Sequence, residues 1–248
     1  MALNTIVTIK QADGSEIALV DWADKPIYSS VDLQTGFTQQ EVVLFNYTNG
    51  DIVPGYGPGT SQSRTATEND TNLAQPGTMA MTEEMLIYAI KPEVYFYLLG
   101  TSGDFNTRSY TPDANAPGIP IPTAQGLAVL NQQLILELQI SQKLQAQSPF
   151  GYFNPGFGVM KTQGSAGSAS AASAGLPAQN AVRSFVIPSH IGSSEKYKVT
   201  LRNSGEINGG AVSFGIFELG GEPGTVINPN TCATIRILLD GLYKRPVS

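Results

Sequence analysis

The sequence is poor in the side chains on which most water-based enzyme chemistry depends. Its 248 residues include one histidine (His190), one cysteine (Cys232) and one tryptophan (Trp22). Enzymes commonly need a proton carrier near neutral pH, an activated nucleophile or a metal held by several ligands. The composition therefore favours a structural or binding protein over an enzyme. The lone cysteine also excludes an internal disulfide and a cysteine-based zinc site.

Positively charged residues are scarce as well. The chain has 14 lysines and arginines against 20 aspartates and glutamates, for a net charge of −6 at pH 7. This charge argues against binding nucleic acid through the overall electrostatic field. No apolar run approaches the roughly 20 residues that span a bilayer, and the first residues lack a basic region followed by an apolar stretch. We therefore expect neither a membrane span nor a secretory signal.

His190 is the only candidate for the base of a serine hydrolase. It lies in Ile187-Pro188-Ser189-His190-Ile191, and the chain contains no Gly-x-Ser-x-Gly motif. The sequence predicts a loop histidine that hydrogen-bonds its neighbours. Cys232 is predicted to be a small buried apolar residue, and Lys244-Arg245 a solvated basic tail.

Acidic residues form no recognisable catalytic pattern. Glu68 and Asp70 begin an E-x-D-x-x-E motif, but the third acid is replaced by Leu73. Glu83 and Glu84 are adjacent, so on a strand they would point to opposite faces. Carboxylates that are distant in the sequence can still meet in the fold, so paired acids stay open.

A calcium loop is also incomplete. Asp113-Ala114-Asn115-Ala116-Pro117-Gly118 begins like one, but Ala124 stands where a bidentate glutamate belongs. We interpret the segment as an Asx-type turn. The sequence thus predicts no catalytic residues, no cofactor-binding residues and no metal ligands, and the protein is not expected to be an enzyme.

The residues that are abundant indicate strands separated by turn-rich loops. The chain has 26 glycines and 16 prolines between runs rich in β-branched and aromatic residues. Residues 134–140 and 196–202 alternate between apolar and polar, which is typical of strands with one buried face. The predicted strands are 5–10, 16–21, 41–47, 84–90, 93–99, 134–140, 157–161, 182–187, 196–202, 211–219 and 234–239.

The first two of these strands flank Asp13-Gly14, a strong hairpin signal. Residues 123–134 are predicted to form a short helix capped by Thr123. Pro92 separates two predicted strands and indicates a bend or a sheet edge. Residues 48–82, and 53–59 in particular, are expected to lack regular structure.

We predict two regions in the chain: an N-terminal hairpin or arm over residues 1–30 and one domain over residues 31–248. The low-complexity segment 164–175 is expected to be a flexible loop inside that domain. A domain linker is less plausible, because the four strands predicted after it would leave exposed edges and a thin core.

Four segments of the sequence carry a resemblance to a known family. They are Trp22-Ala23-Asp24-Lys25-Pro26, Asp70-Thr71-Asn72-Leu73, Glu84-Met85-Leu86-Ile87-Tyr88 and Leu239-Asp240-Gly241-Leu242-Tyr243-Lys244-Arg245-Pro246-Val247. These segments resemble the coat proteins of tailless icosahedral bacteriophages. The resemblance implies a jelly-roll subunit of a major capsid protein that assembles with itself into an icosahedral shell. A jelly roll has eight antiparallel strands, and an all-β jelly-roll sandwich also agrees with the series of strands and long loops predicted in one domain. A single jelly roll with an N-terminal hairpin is favoured, and a double jelly roll is the alternative.

The resemblance also implies partners and a location. The chain would meet copies of itself through loops and terminal arms, other virion proteins would stand at the vertices, and the subunit would assemble in the host cytoplasm and reside in the virion. The chain lacks the basic N-terminal arm of many capsid proteins, so direct contact with nucleic acid is not expected. An internal membrane or a second protein is then a possible layer between shell and genome.

A different class also fits the composition. A carbohydrate-binding β-sandwich, such as a lectin or a receptor-binding protein, would use aromatic and polar side chains on its loops. The 10 tyrosines and 10 phenylalanines make that alternative available.

Overall fold

The computed structural model describes residues 8–10, 16–18, 22–58, 61–99, 108–109, 121–122, 124–153, 159–163, 169–173, 183–205, 211–212, 216–217 and 231–244. Over these residues the chain forms eighteen strands and two helices, so the expected all-β class is confirmed. The helices are α1 (Ala124–Gln133) and α2 (Phe150–Phe153). The strands are β1 (Thr8–Lys10), β2 (Glu16–Ala18), β3 (Trp22–Asp24), β4 (Ile27–Gln34), β5 (Glu41–Leu44), β6 (Ile52–Tyr56), β7 (Ser61–Thr65), β8 (Glu84–Leu99), β9 (Arg108–Ser109), β10 (Ile121–Pro122), β11 (Leu134–Ile140), β12 (Lys143–Pro149), β13 (Val159–Gln163), β14 (Ala169–Ser173), β15 (Ser184–Ile191), β16 (Tyr197–Asn203), β17 (Ile216–Phe217) and β18 (Thr231–Lys244).

Two packed sheets form the body of the molecule. The small sheet has four strands in the order β12-β11-β16-β5. The large sheet has eight strands along the path β15-β8-β18-β4-β6-β7, with β3 attached to β18 and β9 attached to β8. One continuous hydrophobic core joins residues of both sheets, such as Leu136 and Val199 with Val31 and Ile235. The expected β-sandwich is therefore confirmed.

Hydrophobic alternation accounts for the small sheet. In β11 every second residue from Leu134 to Ile140 is buried, as predicted. In β16 the side chains of Tyr197, Val199 and Leu201 are buried, also as predicted. Thr200, expected on the open face, is buried too. Its neighbours in register, Glu137 and Val43, have larger side chains that flank it.

The two longest strands, β8 and β18, pair from Thr231 opposite Leu98 to Lys244 opposite Glu84. We expected β8 as two strands interrupted at Pro92, but one strand runs through the proline. Its other neighbour, β15, pairs only with the part of β8 that precedes Pro92. In the described part of the chain Pro92 therefore has strand pairing on one side only, which agrees with the predicted edge position.

Four antiparallel pairs are nested inside one another along the chain. β4 pairs with β18, β5 with β16, β8 with β15, and β11 with β12. The first and third pairs lie in the large sheet and the second and fourth in the small sheet. Two further antiparallel pairings, β8 with β18 and β11 with β16, join the nested pairs within each sheet.

The expectation that residues 53–59 lack regular structure is wrong for most of that segment. Despite Pro54 and Gly55, strand β6 pairs antiparallel with β7. It also meets β4 in parallel, with Asp32 opposite Gly55 and Leu33 opposite Tyr56. Only two residues of β4 take part, so the parallel pairing is short enough to accommodate the proline. Turn-rich composition did not prevent pairing because an ordered strand was available beside the segment.

The structure describes residues 211–212 and 216–217 of the strand predicted over 211–219: Val212 makes an isolated bridge to Phe37, and Ile216–Phe217 pairs with β10. The prediction for residues 164–175 needs correction. Part of the expected flexible loop 164–175 is a strand, since Ala169–Ser173 pairs with β13. Small side chains do not prevent pairing, because the backbone supplies the hydrogen bonds of the ladder.

Strand β4 crosses the predicted boundary at residue 30 and lies in the large sheet. Strand β3 also joins that sheet, so the sandwich includes residues from Trp22 onward. The predicted N-terminal hairpin is confirmed, with Thr8 opposite Ala18. It forms a separate two-stranded sheet. The Asp13-Gly14 turn, Thr123, the 113–118 motif and residues 245–248 lie outside the described residues.

Candidate functional site

His190 lies on strand β15 and not in a loop, so that prediction is wrong. Its imidazole Nε2 is 3.2 Å from the Oε2 atom of Glu84 on the neighbouring strand β8. Lys244 Nζ, on β18, donates to the other oxygen of the same carboxylate at 2.7 Å. The imidazole thus faces a carboxylate rather than a hydroxyl or thiol. This is a hydrogen-bonding arrangement between strands and not that of a nucleophile with its base.

The carboxylate of Glu84 is the centre of this three-strand cluster. Burial is the largest single influence on its pKa and would raise it. The hydrogen bonds from Lys244 and His190 outweigh burial, so the pKa of Glu84 lies below its usual value. The prediction of a solvated basic tail is therefore wrong for Lys244, which is part of strand β18 and ion-paired.

A second charged cluster is buried on the large sheet and involves residues of β4, β7 and β18. Arg64 Nε donates to Asp32 Oδ2 at 2.6 Å, while Nη1 and Nη2 donate to the two oxygens of Asp70 at 2.6 and 2.5 Å. Thr234 Oγ1 donates to Asp32 Oδ1 at 2.5 Å, and Thr67 donates to Asp70. All three charged side chains are almost fully buried.

This cluster contains one pair of acids that the sequence analysis left open. Asp32 and Asp70 do meet in the fold, although they are distant in the sequence, but Arg64 lies between them and binds both. Burial alone would raise the pKa of Asp70, yet the bonds from Arg64 and Thr67 lower it. A carboxylate held charged and buried in this way is not available to transfer protons. We interpret the cluster as structural.

The shallow cleft beside Tyr197 and Tyr243 is small. Glu83, Leu73 and Met79 also line it, and the space holds about one water molecule. Burial raises the pKa of both tyrosine hydroxyls, and the nearby Glu83 carboxylate adds to the effect. Glu83 therefore faces this cleft while Glu84 faces His190, so the two adjacent acids diverge as predicted.

In the described ranges, no group of three or more histidine, cysteine, aspartate or glutamate side chains is arranged to hold a metal ion. Cys232 is fully buried beside Tyr97 and Leu99, as predicted for a small apolar residue.

The remaining feature is a cluster on the outer face of the large sheet, the face turned away from the small sheet. The guanidinium of Arg236 lies between two aromatic rings, 5.6 Å from the Tyr28 centroid and 5.3 Å from the Tyr95 centroid. Glu93 Oε2 accepts from Tyr95 Oη at 2.8 Å and from Arg236 Nη1 at 3.2 Å. We call Tyr28, Glu93, Tyr95 and Arg236 the outer patch.

The outer patch spans the three central strands β4, β18 and β8, and Tyr95 is 42% exposed. Lys91 and Asp240 form a further ion pair on the same two strands, β8 and β18. Sequence analysis missed the patch because its members are far apart in the chain. Only the strand register brings them together.

No protein-family model matches the chain, and no curated protein is detectably similar to it. Neither helix in the described part of the chain is long and apolar enough to cross a membrane.

Proposed function

We propose that this protein is a single jelly-roll coat subunit that assembles with copies of itself into an icosahedral virus shell. The nested pairing of eight strands carries the proposal. A jelly roll is an antiparallel ribbon of eight strands rolled into two facing sheets, so its strands pair first with eighth, second with seventh, third with sixth and fourth with fifth. The strands β4, β5, β8, β11, β12, β15, β16 and β18, taken in chain order, pair in this way.

The use of charged residues also supports a structural role. Arg64, Glu84 and Lys244 are each engaged in ion pairs that join strands. These ion pairs thus stabilise the sandwich. A shell subunit needs a stiff framework and surfaces that contact its neighbours. The ion-paired sandwich meets the need for a stiff framework.

The hairpin of β1 and β2 is a candidate for a surface that contacts a neighbouring subunit. Its two strands pair with each other and belong to neither large nor small sheet. An isolated two-stranded hairpin is marginally stable in water and gains stability by packing against something else. In the proposed shell the hairpin reaches a neighbouring subunit.

The proposal includes the surroundings of the subunit. Its partners are further copies of the chain and other virion proteins at the vertices, and it resides in the virion after assembly in the host cytoplasm. With a net charge of −6, the subunit does not neutralise a packaged genome directly. An internal membrane or a second protein layer would separate the two.

A carbohydrate-binding function is the second candidate, and the outer patch is the observation that favours it. An exposed aromatic ring beside an arginine and a glutamate can stack on a sugar ring and hydrogen-bond its hydroxyls. The patch lies on a sheet, however, whereas small-ligand sites are usually concave. We therefore place this candidate second.

Electron microscopy and sedimentation of the purified full-length chain test the proposal. We expect closed particles of uniform size to form as protein concentration and ionic strength are raised, alone or with the other virion proteins. A chain that stays a small oligomer under all these conditions and binds a glycan array would overturn the coat function in favour of the lectin.

A further inference from the structure

We propose that the outer patch is a contact between two copies of this chain, related by a twofold axis. The inference rests on the proposed self-assembly and names one surface that performs it. The patch is defined by Tyr28 on β4, Arg236 on β18, and Glu93 and Tyr95 on β8.

The patch is organised before any partner arrives. Arg236 is held between the rings of Tyr28 and Tyr95, and the Glu93 carboxylate bonds both Arg236 and Tyr95. The hydroxyl of Tyr28 donates to the Glu68 carbonyl at 2.6 Å. Side chains that are already fixed lose little conformational entropy on binding. Tyrosine and arginine are also the residues that contribute most often to protein interfaces.

Charge indicates which partner fits. The whole chain carries −6, so two copies repel each other on average. The patch and its adjacent ion pair contain two cations, Arg236 and Lys91, and two anions, Glu93 and Asp240. The two positive and two negative charges sum to zero, so two copies can bring these surfaces together without net repulsion between them. Across a twofold axis, the cation of one copy can face the anion of the other.

The shape of the site favours a protein partner over a small ligand. The outer patch lies across three neighbouring strands of one sheet, and the cleft lined by Tyr197 and Tyr243 lies elsewhere. A glycan site is usually concave, whereas a surface formed by neighbouring strands suits another such surface.

Two charge-reversal variants test the contact by sedimentation velocity. Glu93→Lys makes the patch positive, and Arg236→Glu makes it negative. Each variant alone should self-associate at least about tenfold more weakly than the wild type, while an equimolar mixture should associate within a few-fold of wild type. A mixture that associates no better than its components, or variants that self-associate like the wild type, would overturn the proposal. Thermal melts of each variant confirm folding.

A second substitution keeps the test valid if charge reversal disturbs the fold. Tyr95→Ser removes the exposed ring, and Leu144→Ser on β12 is the matched control, because Leu144 is 51% exposed and belongs to the small sheet. We expect Tyr95→Ser to weaken association at least about tenfold and Leu144→Ser to leave it unchanged. Equal association of both variants would contradict the contact.

The outcomes separate this inference from the proposed function. If the variants form shells as readily as the wild type, the patch is not a subunit contact, and the coat function stands. If neither wild type nor variants form particles, and Tyr95→Ser abolishes binding to a glycan array, both the contact and the coat function are wrong.

Discussion

Arg64 shows how much one side chain can contribute to this sandwich. It binds Asp32 on β4 and Asp70 in the following loop, and Asp32 is bonded in turn to Thr234 on β18. The cluster therefore ties β7, the loop and the centre of the large sheet together. Without the arginine, two buried carboxylates would face each other, and each would lose its main compensation for burial.

Arg64→Met should lower the free energy of unfolding by about 3–5 kcal/mol at pH 7, because it leaves buried charges unpaired. Urea denaturation followed by circular dichroism measures the loss. Arg202→Met is the matched control, because Arg202 is half exposed and its pair with Glu137 lies at the surface. Exposed pairs contribute at most about 1 kcal/mol. Equal losses in the two variants would contradict the structural role of the buried cluster.

The cluster of Arg64, Asp32 and Asp70 also predicts how the free energy of unfolding depends on pH. The pKa of Asp70 is lowered in the folded protein, so its contribution is present above the unfolded value of about 3.9 and is lost as pH falls below it. In Arg64→Met, burial without a cation should raise the pKa of Asp70 above its value in the unfolded chain. The folded variant then binds a proton more tightly than the unfolded variant, and its stability increases as the pH falls. The stability difference between wild type and variant should therefore shrink by at least about 1 kcal/mol between pH 7 and pH 4. A constant difference would argue against this linkage.

Position 241 requires glycine, because the backbones of two neighbouring strands approach each other closely there. It lies in β18 at a register shift, where Asp240 is opposite Ala89 but Gly241 is opposite Ile87. A Cβ atom at this position would lie 1.9 Å from the carbonyl oxygen of Leu86. No side-chain rotation relieves a clash with backbone, so the two central strands would have to separate.

Gly241→Ala should therefore cost about 3 kcal/mol or more in unfolding free energy, as measured by thermal or urea denaturation. Gly192→Ala is the control, because the nearest atom there belongs to the flexible side chain of Glu195. We expect that control to lie within about 1 kcal/mol of wild type. A tolerated alanine at position 241 would mean that the bulge is wrongly placed.

At the scale of elements, the irregular edge strand β15 disfavours pairing with a strand of another chain. Its register with β8 breaks between Ser184 and Ser189, and Val186 between them is fully exposed. A bulge on an edge strand interrupts the row of free backbone groups that another chain would need for sheet extension. Copies of the chain are thus expected to meet through side chains rather than by joining their sheets.

The N-terminal hairpin is the element whose removal tests assembly most directly. Deleting residues 1–21 removes β1 and β2, which pair only with each other in the described part of the chain. We expect the truncated chain to keep the circular dichroism spectrum and unfolding midpoint of the sandwich but to form particles poorly in sedimentation and electron microscopy. Particles that form normally without the hairpin would exclude it as an arm. Loss of folding would show that it belongs to the sandwich.

For the whole molecule, the nested pairing predicts an order of local stability. β8 and β18 lie at the centre of the large sheet and pair along nearly their whole lengths. The hairpins β1–β2 and β13–β14 are separate two-stranded sheets. Hydrogen exchange of isolated subunits should show the slowest amides in β8 and β18 and the fastest in the two hairpins. Protection in the two hairpins as strong as that in β8 and β18 would contradict this order of local stability.

The sequence by itself determined the features that depend on local pattern. Alternation over residues 134–140 and 196–202 predicts β11 and β16 with the correct buried faces, because the side-chain period of a strand is two. Composition predicts a chain with few reactive groups, and Cys232 as a buried apolar residue. It also predicts the N-terminal hairpin, since the signal lies within a few residues.

Only the tertiary structure decided which distant residues meet. Thr234 and Asp32 are 202 residues apart in the chain, and Arg236 meets Tyr28 and Tyr95 from two other strands. Such contacts depend on strand order and register, which a single sequence does not encode in any local pattern. For the same reason Pro54 and Gly55 form part of a strand against their local preference: the neighbouring strands β4 and β7 supply hydrogen bonds that no local sequence signal reveals.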